Sequence, residues 1–141
     1  MSRVYFTDRD LGKQFPNILR SAGMAVEAHS DHFPANASDE EWLRAVSARR
    51  WVVLTHDRRI RYKANERDAV MQNGIAMLVI VGAAPLPELA QSFVAMTRRV
   101  ESFLDRNDPP FIARVYRPSP SELARDPAAL GRVELWVSHL T

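Results

Sequence analysis

Three groups of carboxylates stand out because each sits where a short apolar run ends or where a helix begins. The first is Asp8 with Asp10, directly after Val4-Tyr5-Phe6-Thr7. The second is Asp39-Glu40-Glu41, behind Ser38 at the start of a helical pattern. The third is Asp57, delivered by Val52-Val53-Leu54-Thr55-His56. Ligands of α/β sheets bind outside the carboxyl ends of parallel strands, so acids at these places are expected to share one edge. Carboxylates crowded without partners repel, and each raises the other's pKa. A hard divalent cation, Mg²⁺ or Mn²⁺, resolves that conflict, because it takes oxygen ligands and leaves positions for water and phosphate. Such an ion can activate a water and neutralise phosphate charge during in-line attack. Asp8, Asp39 and Asp57 are therefore the expected metal-binding and catalytic residues, with Glu40 as an accessory ligand or a plain surface residue. The plainer alternative makes each acid a helix cap or a partner of a helix dipole. Three caps need not share an edge, and their common placement favours the joint reading.

A basic stretch adjoins the third group. From Arg49 to Arg67 the chain carries Arg49, Arg50, Arg58, Arg59, Arg61, Lys63 and Arg67 against Asp57 and Glu66. Arginine's fork of donors suits phosphate oxygens. Arg58, Arg59, Arg61 and Lys63, lying just beyond Asp57, are the expected phosphodiester track; a solvated helix face is the alternative. His56 is expected to be structural or phosphate-facing, since its side chain should point away from that of Asp57. His29 and His32 lie in a stretch without fixed geometry and are not assigned to a metal.

These residues have to be positioned by alternating strands and helices. Val4 to Thr7, Met24 to Ala28, Trp51 to Thr55, Ile75 to Val81 and Phe111 to Tyr116 read as strands. Between them the sequence predicts a helix from about Leu11 to Ala22, irregular at its start because of Pro16, and one opened by a Ser38/Glu41 capping box. A basic helix from Arg58 to about Asn73 and a long amphipathic helix from Leu89 to about Asp105 follow. His29 to Ala37 is expected as a polar loop. The pattern predicts a three-layer α/β/α sandwich with a mostly parallel central sheet. Residues 1–116 form the domain and 117–141 an extension packed on it. In that extension Val133, Leu135 and Val137 alternate with Glu134, Trp136 and Ser138. The period of two predicts an edge strand with Trp136 facing outward, available to a second copy or a partner.

Composition narrows the class. At 141 residues the chain can bury one core, and it has no cysteine, so disulfides and thiolate metal sites are excluded. No apolar run approaches the ~18 residues of a membrane span, and the N-terminus is too polar for a signal peptide. A soluble, cytoplasmic protein is expected. The net charge is only +2.

Val4-Tyr5-Phe6-Thr7-Asp8, Ser38-Asp39-Glu40-Glu41-Trp42-Leu43 and Val52-Val53-Leu54-Thr55-His56-Asp57-Arg58-Arg59 together resemble the PIN or PIN-like domain, the fold of VapC-type toxin ribonucleases. The resemblance covers roughly residues 1–82. It implies Mg²⁺- or Mn²⁺-dependent cleavage of RNA at Asp8, Asp39 and Asp57, with Thr55 as the hydroxyl of the last motif. It also implies a small antitoxin as partner. Larger members carry a further glutamate on an extra helical segment. The interval from Gly23 to Ala37 is too short for one, which suggests the compact PIN-like branch, with Glu40 or Glu66 as the residues that could compensate. Two other classes compete: a PIN-like module that binds RNA or protein without cutting, and a haloacid-dehalogenase-type phosphatase using Asp8 of Asp8-Arg9-Asp10. The second lacks the acid expected after Ile75 to Val81.

Overall fold

A computed structural model describes residues 3–57, 59 and 63–138 of the chain. Val52–Thr55 (β3) lies inside a six-stranded sheet of order β2-β1-β3-β4-β5-β6. Its neighbours are β1 (Val4–Thr7), β2 (Ala25–Ala28), β4 (Ala76–Val81), β5 (Phe111–Tyr116) and β6 (Arg132–Ser138). The first five strands run parallel, and β6 returns antiparallel along β5. Parallel strands covered on both faces read as unbroken apolar runs, which is why β3 and β4 carry Val-Val-Leu and Met-Leu-Val-Ile.

Helices cover both faces. On one, Tyr5, Leu54, Leu78 and Ala113 pack with Phe15 and Leu19 of α1 (Gln14–Ser21), Leu89 and Phe93 of α5 (Leu86–Ala95), and Val100 of α6 (Thr97–Arg106). On the other, Phe6, Val53, Met77 and Ile112 pack with Trp42, Leu43 and Val46 of α3 (Asp39–Arg49) and Val70 of α4 (Ala64–Gln72). The result is the expected α/β/α sandwich.

The structure departs from the sequence reading in several places. Asp8 caps a 3-10 turn (Arg9–Leu11), and α1 begins only at Gln14, after Gly12 at φ 67°. His29–His32 (α2) is one helical turn, not a loop. There the His29 ring is buried among Phe6, Phe33 and Trp42 with neither nitrogen hydrogen-bonded, and burial lowers its pKa. Only half of the α3 capping box forms: the Glu41 amide donates to Ser38 Oγ at 3.2 Å, without the reciprocal bond from the Ser38 amide. The basic helix starts at Ala64 rather than Arg58. The long amphipathic helix is two helices, broken at Met96. Thr97 Oγ1 donates to the Val94 carbonyl at 2.6 Å, and such back-bonding bends a helix.

The tail holds two further differences. Pro120–Arg125 (α7) is a short helix with a complete capping box between Ser119 and Glu122. In β6, Val137 pairs with Ile112 but Leu135 pairs with the next residue, Ala113, so Trp136 is the extra residue of a bulge. A bulge breaks the period of two. Trp136 and Val137 consequently pack on the α3–α4 side, whereas Val133 packs on the α1–α5–α6 side. Arg114 lies over the Trp136 ring, 4.8 Å from its centroid. The residue left outward is Leu135, 47% exposed, not Trp136.

Two glycines with similar left-handed backbones test this closure. At Gly131 (φ +69°) a Cβ would lie 2.1 Å from the Tyr116 carbonyl oxygen, while at Gly23 (φ +87°) nothing lies within 4 Å. Gly23→Ala should cost ~1 kcal/mol from the backbone conformation alone. Gly131→Ala should cost roughly 3 kcal/mol or more, because β5 and β6 must part. Urea unfolding of the two variants checks the order, and equal losses would mean the β5–β6 closure is not as tight as described.

Candidate functional site

The carboxyl edge of β1 and β3 is built around one hydroxyl. Thr55 ends β3 and is buried, and its Oγ1 donates to Asp8 Oδ2 at 2.9 Å, with Asp10 Oδ2 3.2 Å away. The same oxygen accepts the Asp57 amide at 3.2 Å. Asp8 reaches it because the β1–β3 ladder extends one residue past Thr7, the Asp8 amide donating to the Leu54 carbonyl at 2.9 Å. Asp8 also accepts the Arg9 amide at 2.7 Å, which starts the 3-10 turn. That turn swings Asp10 onto the His56 amide, 3.1 Å away.

Asp57 forms its own turn, accepting the Arg59 amide at 3.0 Å, and takes the Lys63 ammonium at 2.6 Å. Asp39, on the first turn of α3, accepts the Trp42 indole N–H at 2.8 Å. Glu66 of α4 approaches Asp39 closely enough for a hydrogen bond between the two carboxyls, and Lys63 stands 3.6 Å away. Asp8, Asp10, Asp39 and Asp57, with Arg9, Arg59 and Lys63, line one open cleft of about 470 Å³.

Burial and mutual repulsion leave their mark on these acids. Burial first, then the charge of Asp10, pushes Asp8 up to about 6, against the bonds from Thr55 and Arg9. Burial likewise raises Asp10, opposed by the His56 amide. Glu66 rises to about 7 through burial and its hydrogen bond to Asp39. Asp57 goes the other way. Burial would lift it, but the hydrogen bond from Lys63 and the Arg59 amide outweigh that and hold it below its ordinary value.

The structure thus brings Asp8, Asp39 and Asp57 to one cleft and places Thr55 among them. Arg59 and Lys63 line it as well; Arg58 and Arg61 lie outside the described residues. Glu40 is exposed and does not line the cleft, and Glu66 stands beside Asp39 instead. Sequence reasoning missed Asp10, whose one signal was its Asp-x-Asp spacing to Asp8. His56 Nε2 lies 2.9 Å from the Gly82 carbonyl, so the ring ties the end of β3 to the end of β4.

An α/β/α sandwich with an aspartate-lined cleft at the carboxyl ends of its parallel strands has its cleft where open α/β sheets bind their ligands. A family model described as "PIN like domain" matches residues 3–82, more than half of the chain, and the chain belongs to that family. The matched span holds every acid of the cleft and Glu66. Comparison with curated proteins and with solved structures finds no match. The family is of nuclease type, and its domains typically use divalent metals. Membership leaves the phosphatase reading of Asp8-Arg9-Asp10 without support.

The donor set fits such an ion in kind, being carboxylate oxygen throughout. Among the described residues half-buried Asp8 forms no ion pair, and buried Glu66 Oε2 accepts no hydrogen bond, with Lys63 Nζ 3.6 Å from it. Among the described residues, however, no three acidic or histidine side chains stand close enough to hold an ion as they are, and Lys63 occupies Asp57.

The raised Asp8 pKa has a defined consequence for stability. Its folded value, about 6, lies above its ordinary 3.8, so between these the folded state binds the extra proton. Asp8 therefore subtracts stability as pH rises from about 4 to about 6, by on the order of 3 kcal/mol at pH 7. Asp8→Asn should be the more stable protein at pH 7, with the difference vanishing near pH 4. Urea unfolding of both proteins across this range checks it; a difference independent of pH would place Asp8 in water.

Proposed function

We propose that the chain is a Mg²⁺- or Mn²⁺-dependent endoribonuclease that hydrolyses RNA phosphodiesters in the aspartate cleft. The reading is carried by one observation: four aspartates share a cleft with Arg9, Arg59 and Lys63 on a PIN-like domain. Asp8, Asp39 and Asp57 would hold the ion, joined by Asp10, with Glu66 supplying the carboxyl that Glu40 does not. When bound, the ion supplies charge neutralisation at the phosphate and a more acidic water.

The remaining work falls to the chain's own side chains. Thr55 fixes the orientation of Asp8 and, through its accepted bond, the direction of the Asp57 loop. The Trp42 indole holds the Asp39 carboxylate at the mouth of the cleft. Arg59 and Lys63, with Arg58 and Arg61 of the same segment, are assigned to the RNA backbone. Lys63 has to release Asp57 for both roles to be filled at once. We extend the proposal to a cytoplasmic toxin, able to form a homodimer, with a small antitoxin as partner, the setting implied by the resemblance of its sequence motifs.

A second reading is a module that binds RNA without cutting it, and the 2.6 Å Lys63–Asp57 ion pair favours it, because it neutralises one proposed ligand. Turnover separates the two. With Mn²⁺, the protein should cleave single-stranded RNA, and Asp57→Asn should lower the rate by about 100-fold or more while Asn still accepts the Arg59 amide. RNA binding without metal-dependent cleavage would establish the second reading.

Phosphate contact by the basic segment has its own readout. Replacing Arg59 and Lys63 together by glutamine should flatten the salt dependence of RNA binding by somewhat less than two units of slope, at ~0.7 per phosphate on single strands. An unchanged slope would return both residues to the solvated surface.

A further inference from the structure

A second charged groove lies away from the acidic cleft, between α6 and β6. It has a volume of about 440 Å³, and Arg98, Arg99, Arg106 and Arg132 line it. No carboxylate lines it among the described residues. Arg98, Ser102 and Arg106 follow one another at helical spacing along α6, so they form a single stripe. The two acids of that helix are turned elsewhere: Glu101 bonds Arg3 and the Tyr5 hydroxyl, and Asp105 bonds Arg3.

Among the described residues Arg98 and Arg106 make no hydrogen bond or ion pair, and Arg99 reaches only the Gly131 carbonyl. Of the four, only Arg132 has a carboxylate partner, Glu134 at 2.9 Å. Guanidinium groups gathered without counter-charge repel one another, and an anionic occupant relieves that repulsion.

The other lining narrows what the occupant is. Leu130 and Val133 line the groove, and Leu130 is 38% exposed. Leu135 shares the sheet face of Val133, because its partner Ala113 and Val133's partner Val115 face the same core. Leu123, Leu130 and Leu135 are the exposed large hydrophobics of the described chain, and all lie in this tail.

Exposed aliphatic surface rimmed by arginine is the composition of a protein-docking patch. Single-stranded nucleic acid instead uses flat aromatic faces for its bases. The one aromatic lining this groove, Phe103, is only 7% exposed.

We infer that the α6–β6 groove docks an acidic amphipathic segment of a partner protein, its aliphatic side chains on Leu130, Val133 and Leu135 and its carboxylates on Arg98, Arg99 and Arg106. The groove is separate from the aspartate cleft, so the inference does not depend on nuclease activity.

The test uses the full chain and a synthetic helical peptide with leucine on one face and glutamate on the other. Its counterpart with lysine for glutamate and a single-stranded oligouridylate serve as comparisons, all read by fluorescence polarisation. The Glu/Leu peptide should bind saturably. The Arg98→Ala/Arg106→Ala double variant should weaken it by about tenfold or more, and Leu135→Ser should weaken it too. Both variants change exposed side chains and should keep the wild-type unfolding curve and RNA-cleavage behaviour. Absence of saturable binding, or equal binding of the lysine peptide, would overturn the inference. So would tighter binding of the oligouridylate with the same dependence on Arg98 and Arg106, which would make the groove a phosphodiester site.

Discussion

One hydroxyl proton governs the acidic cleft. Thr55 Oγ1 has a single hydrogen to give, and two carboxylates, half-buried Asp8 at 2.9 Å and more exposed Asp10 at 3.2 Å, compete for it. The loser must rely on a backbone amide, which for Asp10 is that of His56. Because the same oxygen also accepts the Asp57 amide, the conformations of three acidic residues meet at one atom. The hydroxyl can occupy that point only because β3 is the buried neighbour of both β1 and β4, whose registers fix its height. The electrostatic strain of the cleft follows, since Thr55 satisfies the acids' hydrogen bonds without neutralising their charge.

The strands were legible because burial on both faces writes them as continuous apolar runs, and the acids at their ends were legible for the same reason. Asp8 and Asp57 could be placed once β1 and β3 were recognised, and Asp39 once Ser38 marked a helix start. Asp10 was hidden because its position depends on a 3-10 turn that Gly12 terminates, and periodicity does not register so short an element. Glu66 was undervalued because the preceding helix was expected from Arg58. With α4 beginning at Ala64, Lys63 and Glu66 come to the mouth of the cleft instead of lying along a basic helix face. The tail misled for a different reason: alternation assumes a regular ladder, and a bulge at Trp136 reverses which side chains face in.

The modest net charge conceals a strong separation of signs. Carboxylates gather at the carboxyl ends of β1 and β3, while the α6–β6 side carries unneutralised arginine. On α6 itself the division is sharp. Arg3, directly before β1, pairs with Glu101 and Asp105 on one side of the helix, and the arginines lie on the other flank. The acids of the helix are thus taken up by a fold-stabilising contact, and its opposite side stays basic.

The same bulge that turns Trp136 inward also bears on the fate of the sheet's longest free edge. Among the described residues β6 (Arg132–Ser138) is the outermost strand on its side of the sheet, a position that invites further strands and, through them, fibrillar assembly. An extra residue in the strand twists the ladder locally and spoils the even spacing that an incoming strand would need. Arg132 and Glu134 add charge along the same edge. Aggregation by edge-to-edge pairing is thus discouraged by geometry as well as by charge, and the tail can keep its apolar residues exposed without becoming a template for its own copies.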